Sequence, residues 1–360
     1  GAEVWCRGSL NQEENFVGSF LKFFIRYFIG RFIVCLLVIF VGVTITFLIP
    51  RLIPGSNPAE IAVRRVQMAG SYLPPESIEK MRDALLKLYG LEGSMVQQYF
   101  TYWRELLKGN LGPSFASFPT PVITLISRSL PWTVGLLVLT AMISWVIGTL
   151  LGGIASYRSK SLWVKVFEMF SNAVRPIPYY IFAFALLIVF AYILRWFPAG
   201  GAFQIGIEPS LSWVFFKSVI KHGFLPAFSL IIIGIGAWFL NMRNLTSNII
   251  HEDFVVFAKQ MKLREPMILR NYVMKAAMPA QLTGLALQLG TVFSGTIITE
   301  IVFSYPGLGT LAFTAIMQSD YNLVMGITLC SIVAVALATL FVDLLLPFID
   351  PRIQYTGGAT

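Results

Sequence analysis

The residues that could do chemistry in this chain are few and scattered. There are two histidines, His222 and His251, and three cysteines, Cys6, Cys35 and Cys330. A zinc or haem site needs clustered ligands. Here no CxxC occurs, the cysteines are far apart, and two of them lie in apolar runs. Neither a metal centre nor a structural disulfide is expected. His222 reads as part of an external loop and His251 as the start of a cytoplasmic helix, so no Ser/His/Asp or Cys/His constellation forms. No GxxxxGK[ST] occurs, so the chain has no phosphate-binding loop of its own. What remains is charge near apolar runs: Glu168, Arg175, Glu300 and Asp343.

Ionisable residues inside membrane spans are functional candidates by default. The three carboxylates fall near span ends, where helix capping or a reach to the headgroups is the better account. Glu300 is kept with the candidate path residues. Arg175 differs, because it lies well inside an apolar run and opens "RPIP" (Arg175–Pro178). A charge there costs a few kcal/mol unless it faces water or a partner. Pro176 and Pro178 free backbone carbonyls with the same need. Arg175, Pro176 and Pro178 are therefore expected to line a translocation path or its inner mouth. The alternative is an arginine reaching to cytoplasmic headgroups from a span that starts near Ala173.

A second cluster is "EDFVVFAKQMKLREPMILRNYVMKAAMPA", Glu252 to Ala280, with Lys259, Lys262, Arg264, Arg270 and Lys275. Asp253 can cap a helix in which Phe254, Phe257, Ala258 and Met261 share one face. Pro266 ends that helix and suits the first turn of the next. The second helix groups Ile268, Leu269, Tyr272 and Val273. Two short amphipathic helices at a bend make a rigid knob, which can pass force from a soluble partner into membrane helices.

The elements that position these residues follow from composition. The chain is 56% hydrophobic and 12% charged, against about 25% charged for soluble proteins. Mean hydropathy is +0.72. This is an all-α integral membrane protein. Its net charge of +9 fits basic loops facing the cytoplasm; no basic stripe with interleaved aromatics points to nucleic acid. Six segments are long enough to cross a bilayer: Tyr27–Ile49, Pro131–Ala155, Val164–Leu194, Phe224–Leu240, Leu282–Phe303 and Leu323–Ile349. The first is read as a retained span, since Pro50-Arg51 follows it in place of a cleavage site. "YRSKSLWVK" and the segment from Glu252 are basic, whereas "SYPGLGTLAFTAIMQSDYN" has no Lys or Arg. The basic loops are placed in the cytoplasm, with both termini on that side. The expected organisation is a cytoplasmic segment 1–26, a first span 27–49, an external helical lobe 50–130, a five-span core 131–349 with a cytoplasmic loop at 242–281, and a tail 350–360. Helices are expected in "PPESIEKMRDALLKLYG" and "SMVQQYFTYWRELLKGN" of the lobe. "GTLLG" (Gly148–Gly152) is a candidate close helix contact.

The stretches "RLIPGSNPAE", "KGNLGPSF", "RWFPAGGAF", "EIVFSYPGLGTLAFTAIMQSDYNLVMG" and "VDLLLPFIDPRI", with the loop ending at Pro279, resemble the binding-protein-dependent ABC importer permeases. The likeness is to the oligopeptide/dipeptide branch, and the long loop after the first span resembles its B-type subunit. The resemblance implies a type I ABC importer permease fold, pairing with a homologous C-type permease into a heterodimer. It implies two cytoplasmic ABC ATPases that hold the ATP and Mg, an external solute-binding protein, and no enzyme activity or cofactor in this chain itself. Carried onto this sequence, the coupling helix covers Asp253, Phe254, Phe257, Ala258, Met261, Lys262, Leu263 and Arg264, with Phe257, Ala258 and Met261 seating on the ATPase. The sequence departs from the family in three places. Lys262 stands where a glycine is usual, Asn271 where a histidine is usual, and the distance to Pro279 is shorter by about one residue. Peptides are the expected substrate, with oligosaccharides the alternative. A secondary transporter or channel would need ion-binding carboxylates at mid-membrane, and a membrane enzyme would need a catalytic set; neither is present in the sequence.

Overall fold

The computed structural model describes residues 27–49, 51–52, 92–292 and 297–349, with isolated positions between 76 and 87. The expected helix at "PPESIEKMRDALLKLYG" lies mostly outside the described residues, as do segments 1–26 and 350–360. The fold is helical, and four helices are long and apolar enough to cross a membrane: α1 (Tyr27–Ile49), α3 (Val122–Tyr157), α6 (Trp213–Ile249) and α12 (Tyr321–Ile349). A shorter helix, α2 (Met95–Leu107), precedes α3. A bent pair, α4 (Leu162–Val174) and α5 (Tyr179–Leu187, running on to Ile193 as a π-helical turn), could supply a fifth span. Between α6 and α12 lie α7 (Asp253–Gln260), α8 (Glu265–Ile268), α9 (Lys275–Thr291), α10 (Ile297–Val302) and α11 (Leu308–Met317).

The helices differ in extent from the apolar runs that betray them. α6 outruns Phe224–Leu240 at both ends, because a helix needs no apolar side chains where it leaves the bilayer. His222 therefore sits inside α6, bonded through Nδ1 to the Ser218 carbonyl at 2.8 Å, and not in a loop. α3 begins nine residues before Pro131, which lies inside it. The fifth apolar segment starts earlier than Leu282, at Lys275, and its described part is α9 followed by α10. The third segment is not one straight rod: at Arg175–Pro178 the chain turns by 105°. Two prolines within three residues remove two amide donors and disfavour helix before each ring.

α3 and α6 form the central pair. A Cβ on Gly148 would lie 2.5 Å from the Trp238 Cβ, and one on Gly152 2.5 Å from the Phe239 carbonyl oxygen. Only glycine lets the backbones approach so closely, so the GTLLG stretch does make a helix contact. α4 crosses α6 through Val164, Phe167 and Phe239 and is tied to it by the Glu168–Arg243 ion pair. α1 lies against α12. The Arg31–Asp343 ion pair at 3.3 Å fastens one end, and the Tyr27 hydroxyl donates to the Asp343 carbonyl at 3.1 Å.

α2 is set by a capping box, in which Ser94 and Gln97 satisfy each other's backbone amides. It packs against α1. Tyr99 and Tyr102 pack on Phe47, Trp103 stacks on Phe40, and the Tyr99 and Thr44 hydroxyls meet at 2.7 Å. The helix thus lies along the C-terminal half of α1.

The segment between α2 and α3 is fastened to the start of α12. Buried Asp320 accepts from the Ser114 hydroxyl, from the Ala116 amide at 2.9 Å and from the Leu323 amide at 3.1 Å. The Asn322 amide donates to the Leu111 and Pro113 carbonyls at 3.2 and 2.8 Å. Two of the stretches quoted above, "KGNLGPSF" and the end of "AIMQSDYN", are thereby joined across more than 200 residues. Replacing Asp320 by alanine leaves a buried hydroxyl and two amides without their acceptor. It is expected to cost about 2–3 kcal/mol and to lower the unfolding midpoint of the purified protein in a thermal scan, with Asp320→Asn milder.

Candidate functional site

The segment after α6 builds the knob that the sequence foreshadows. α7 packs on α8 and on the π-helical turn after it (Leu269–Met274) through Val255, Ala258, Ile268 and Val273, all buried, and this small core is closed by Tyr157, Ile249 and Leu263 from around it. Asp253 is not the cap: Glu252 takes that position, with no side-chain hydrogen bond, and Asp253 is the first helical residue, where its charge still suits the helix dipole. The expected single face splits in two. Phe254, Phe257 and Met261 point outward, Phe257 63% and Met261 62% exposed. Ala258 is turned inward and only 2% exposed. It joins α7 to its own chain and offers no surface to a partner. Cationic Lys259, Lys262 and Arg264 are exposed around the apolar tip.

Lys262 occupies a backbone position made for glycine. Its φ is +55°. Its amide bonds to the Lys259 carbonyl at 2.9 Å and the next amide, Leu263, to the Ala258 carbonyl at 3.4 Å. This is the Schellman ending of a helix, whose left-handed residue is usually glycine. The Leu263 side chain packs back on the knob core, as that motif favours. The glycine usual here is thus explained by the turn at the end of α7, without any need for a close approach by a partner. Lys262→Gly is expected to relieve the strained φ and raise stability by about 0.5–1 kcal/mol, read as a higher unfolding midpoint. An unchanged or lower midpoint would show that the lysine side chain holds the turn in another way.

Glu300 does not line an open path. It is 0% exposed and accepts from the Thr133 hydroxyl at 2.6 Å, the Gly309 amide at 2.6 Å and the Thr310 amide at 3.1 Å. Gly309 and Thr310 are the second and third residues of α11, so Glu300 caps that helix from a neighbouring element. Thr133 also accepts from the Leu308 amide at 2.8 Å. A Cβ on Gly307 would run into the Glu300 carboxyl, and one on Gly309 would lie 2.7 Å from the Ile297 Cα. The "E…GLG" pattern is therefore a packing solution: a buried carboxylate needs room and bare amides.

Arg175 lies at the end of α4, exposed, and lines a cavity of about 400 Å³ between α4 and α6. Ser171 packs on Gly236 at one side of it, and Asn241 and Asn244 complete its polar wall. Glu168 does not neutralise Arg175, because it is paired with Arg243. Pro176 and Pro178 are exposed at the bend, and Pro178 precedes the first turn of α5. The knob and the Arg175 cavity are thus separate features, both built on α6. Neither Asp320 nor Ser114 was singled out as structural in the sequence; their pairing has no local periodicity to betray it.

A helical membrane protein with a rigid knob between two of its spans and a broken span beside a polar cavity is the class these features define. The chain belongs to the family of binding-protein-dependent transport system inner membrane components, whose sequence profile matches residues 146–355, more than half of its length. It is 30% identical to a putative peptide permease protein of Brucella suis over 277 residues, which cover 76% of this chain and 84% of that one. It is 27% identical to the oligopeptide transport system permease protein AppB of Bacillus subtilis over 285 residues, 79% and 88% of the two chains. With the oligopeptide transport system permease protein OppB of Haemophilus influenzae the identity is 28% over 282 residues, 78% and 87%. It is an all-α, multi-pass inner-membrane permease that works within an ABC transporter complex.

Proposed function

We propose that this chain is one permease half of an ATP-driven importer of peptides. It pairs with a homologous second permease, receives its load from an external solute-binding protein, and is driven by two ABC ATPases on the cytoplasmic side. Both of its own termini are cytoplasmic, and lipid surrounds the rest. The substrate class follows the relatives, which are named as peptide or oligopeptide permease proteins. This chain binds no cofactor; ATP and Mg are held by the ATPases.

The observation that carries the reading is the knob. Its core, Val255, Ala258, Ile268 and Val273, is buried, while Phe254, Phe257 and Met261 project from it, exposed. Such a body moves as a unit. Apolar residues at the tip, ringed by Lys259, Lys262 and Arg264, suit an apolar groove with an acidic rim on the ATPase. Leu263 contributes from inside the turn. Closure of the ATPase pair on ATP then pushes the knob, and α6 and α9, joined directly to it, carry the motion into the membrane as a rigid-body switch. Arg175, Pro176 and Pro178, at the bend of the broken span, line the inner part of the path. ATP hydrolysis by the purified complex of two permeases and two ATPases in lipid tests the reading. Hydrolysis is expected to rise severalfold when the binding protein and a peptide are added together. Hydrolysis indifferent to both would contradict it.

A further inference from the structure

The cavity beside Arg175 has a lining that suits one end of a peptide, an inference that rests on the peptide-importer reading above. Arg175 is the charged residue of that lining. The carboxylate on its own helix, Glu168, is taken by Arg243, and among the described residues the lining holds no carboxylate. The apolar run of α6 ends at Leu240, and Asn241 and Asn244 follow on the face that Gly236 and Ala237 begin. Arg175 shares this cavity with Ile232, Ile233 and Gly236, which lie within the apolar run of α6. A cation at that depth is unfavourable against lipid and tolerable against water or an anion.

The chemistry of the lining narrows the anion. A planar guanidinium binds a carboxylate through two parallel hydrogen bonds. Asparagine amides donate and accept at once, so Asn241 and Asn244 can meet the amide groups of a peptide backbone whatever its side chains. The remaining walls are apolar, from Phe170 and Val174 to Ile232. The volume of about 400 Å³ falls in the range of small-molecule sites and accommodates one or two residues, not a folded chain. We propose that Arg175, Asn241 and Asn244 form a site on the inner half of the path that receives the C-terminal carboxylate of a peptide in transit. Recognition of a terminus and a backbone, with no demand on side chains, would let one site pass peptides of varied sequence.

The test compares a labelled peptide with its C-terminal amide in ATP-driven uptake by proteoliposomes holding the whole complex and its binding protein. The quantity read is the free-acid to amide uptake ratio, relative to wild type, so that any preference of the binding protein cancels. Arg175→Gln is expected to lower that ratio about tenfold, free-acid uptake falling more than amide uptake. Arg175→Lys should restore part of it. Asn244→Asp, which adds a negative charge to the wall of the same cavity and keeps the amide's shape, should lower the ratio in the same direction. A ratio unchanged in Arg175→Gln and Asn244→Asp overturns the site. Equal loss of both substrates also overturns it and leaves Arg175 a general role in the path. A ratio unchanged while uptake follows the anionic lipid content assigns the cavity to headgroup phosphate instead. Failure of the wild-type complex to take up either peptide on ATP would sink the importer reading itself, a distinct result.

Discussion

Phe257→Asp combined with Met261→Asp is expected to abolish ATP-driven uptake while leaving the permease folded. Both side chains are more than 60% exposed, and neither belongs to the packed core of the knob. Surface changes of this kind usually shift stability by less than about 0.5 kcal/mol. At a docking surface the same residues would be anchors. Truncating an aromatic anchor typically costs about 2–4 kcal/mol, and burying an unpaired carboxylate in its place adds to that. A loss of about 3 kcal/mol already weakens docking by more than a hundredfold. Co-purification of the ATPases with the permease pair and peptide uptake should fall together, with the thermal midpoint of the permease unchanged. Ala258→Asp would be a poor substitute for this test, because Ala258 is buried in the knob itself. Its failure would report folding and not docking.

Glu300→Ala is expected to produce the largest loss of stability of any single change considered. The substitution removes the acceptor for the Thr133 hydroxyl and for the Gly309 and Thr310 amides, all in a site closed to solvent. Each buried donor left unsatisfied costs about 1–3 kcal/mol, so a total of about 3 kcal/mol or more is expected even after partial relaxation. α11 would lose its cap, and Gly307 and Gly309, shaped around the carboxylate, would face a void. Glu300→Gln keeps one acceptor oxygen and nearly the same volume and should cost less. Thermal unfolding of the purified permease separates the two variants. Equal midpoints for wild type and Glu300→Ala would show that the capping contacts contribute little.

The sequence disclosed the parts of this fold that obey a local rule. Spans are legible because lipid demands long apolar runs, and the knob because its apolar residues recur at helical spacing. The ends of α3 and α6 were not, since a helix continues into water on polar residues without an apolar signal. Ala258 falls beside Phe254 and Met261 on a helical wheel, at spacings of four and three; the small core formed with Ile268 and Val273 decides which way it turns. Glu300 sits 167 positions from Thr133 and Asp320 206 from Ser114. Contacts at such separation leave no periodic trace, so a capping carboxylate was open to reading as a path residue. Lys262 stood out as a departure from a pattern, but the reason for the pattern, a left-handed turn, became visible only in the backbone. Arg175 was legible on energetic grounds alone, as a charge where none should be, and it does open on a cavity.

The most direct measurement is uptake of a labelled peptide into proteoliposomes containing this chain and its companion permease, with the binding protein outside, recorded with and without the ATPases. The expected result is uptake that requires the ATPases, ATP and Mg together and vanishes in the Phe257→Asp, Met261→Asp permease. Uptake that proceeds on an ion gradient with no ATPase present would contradict it.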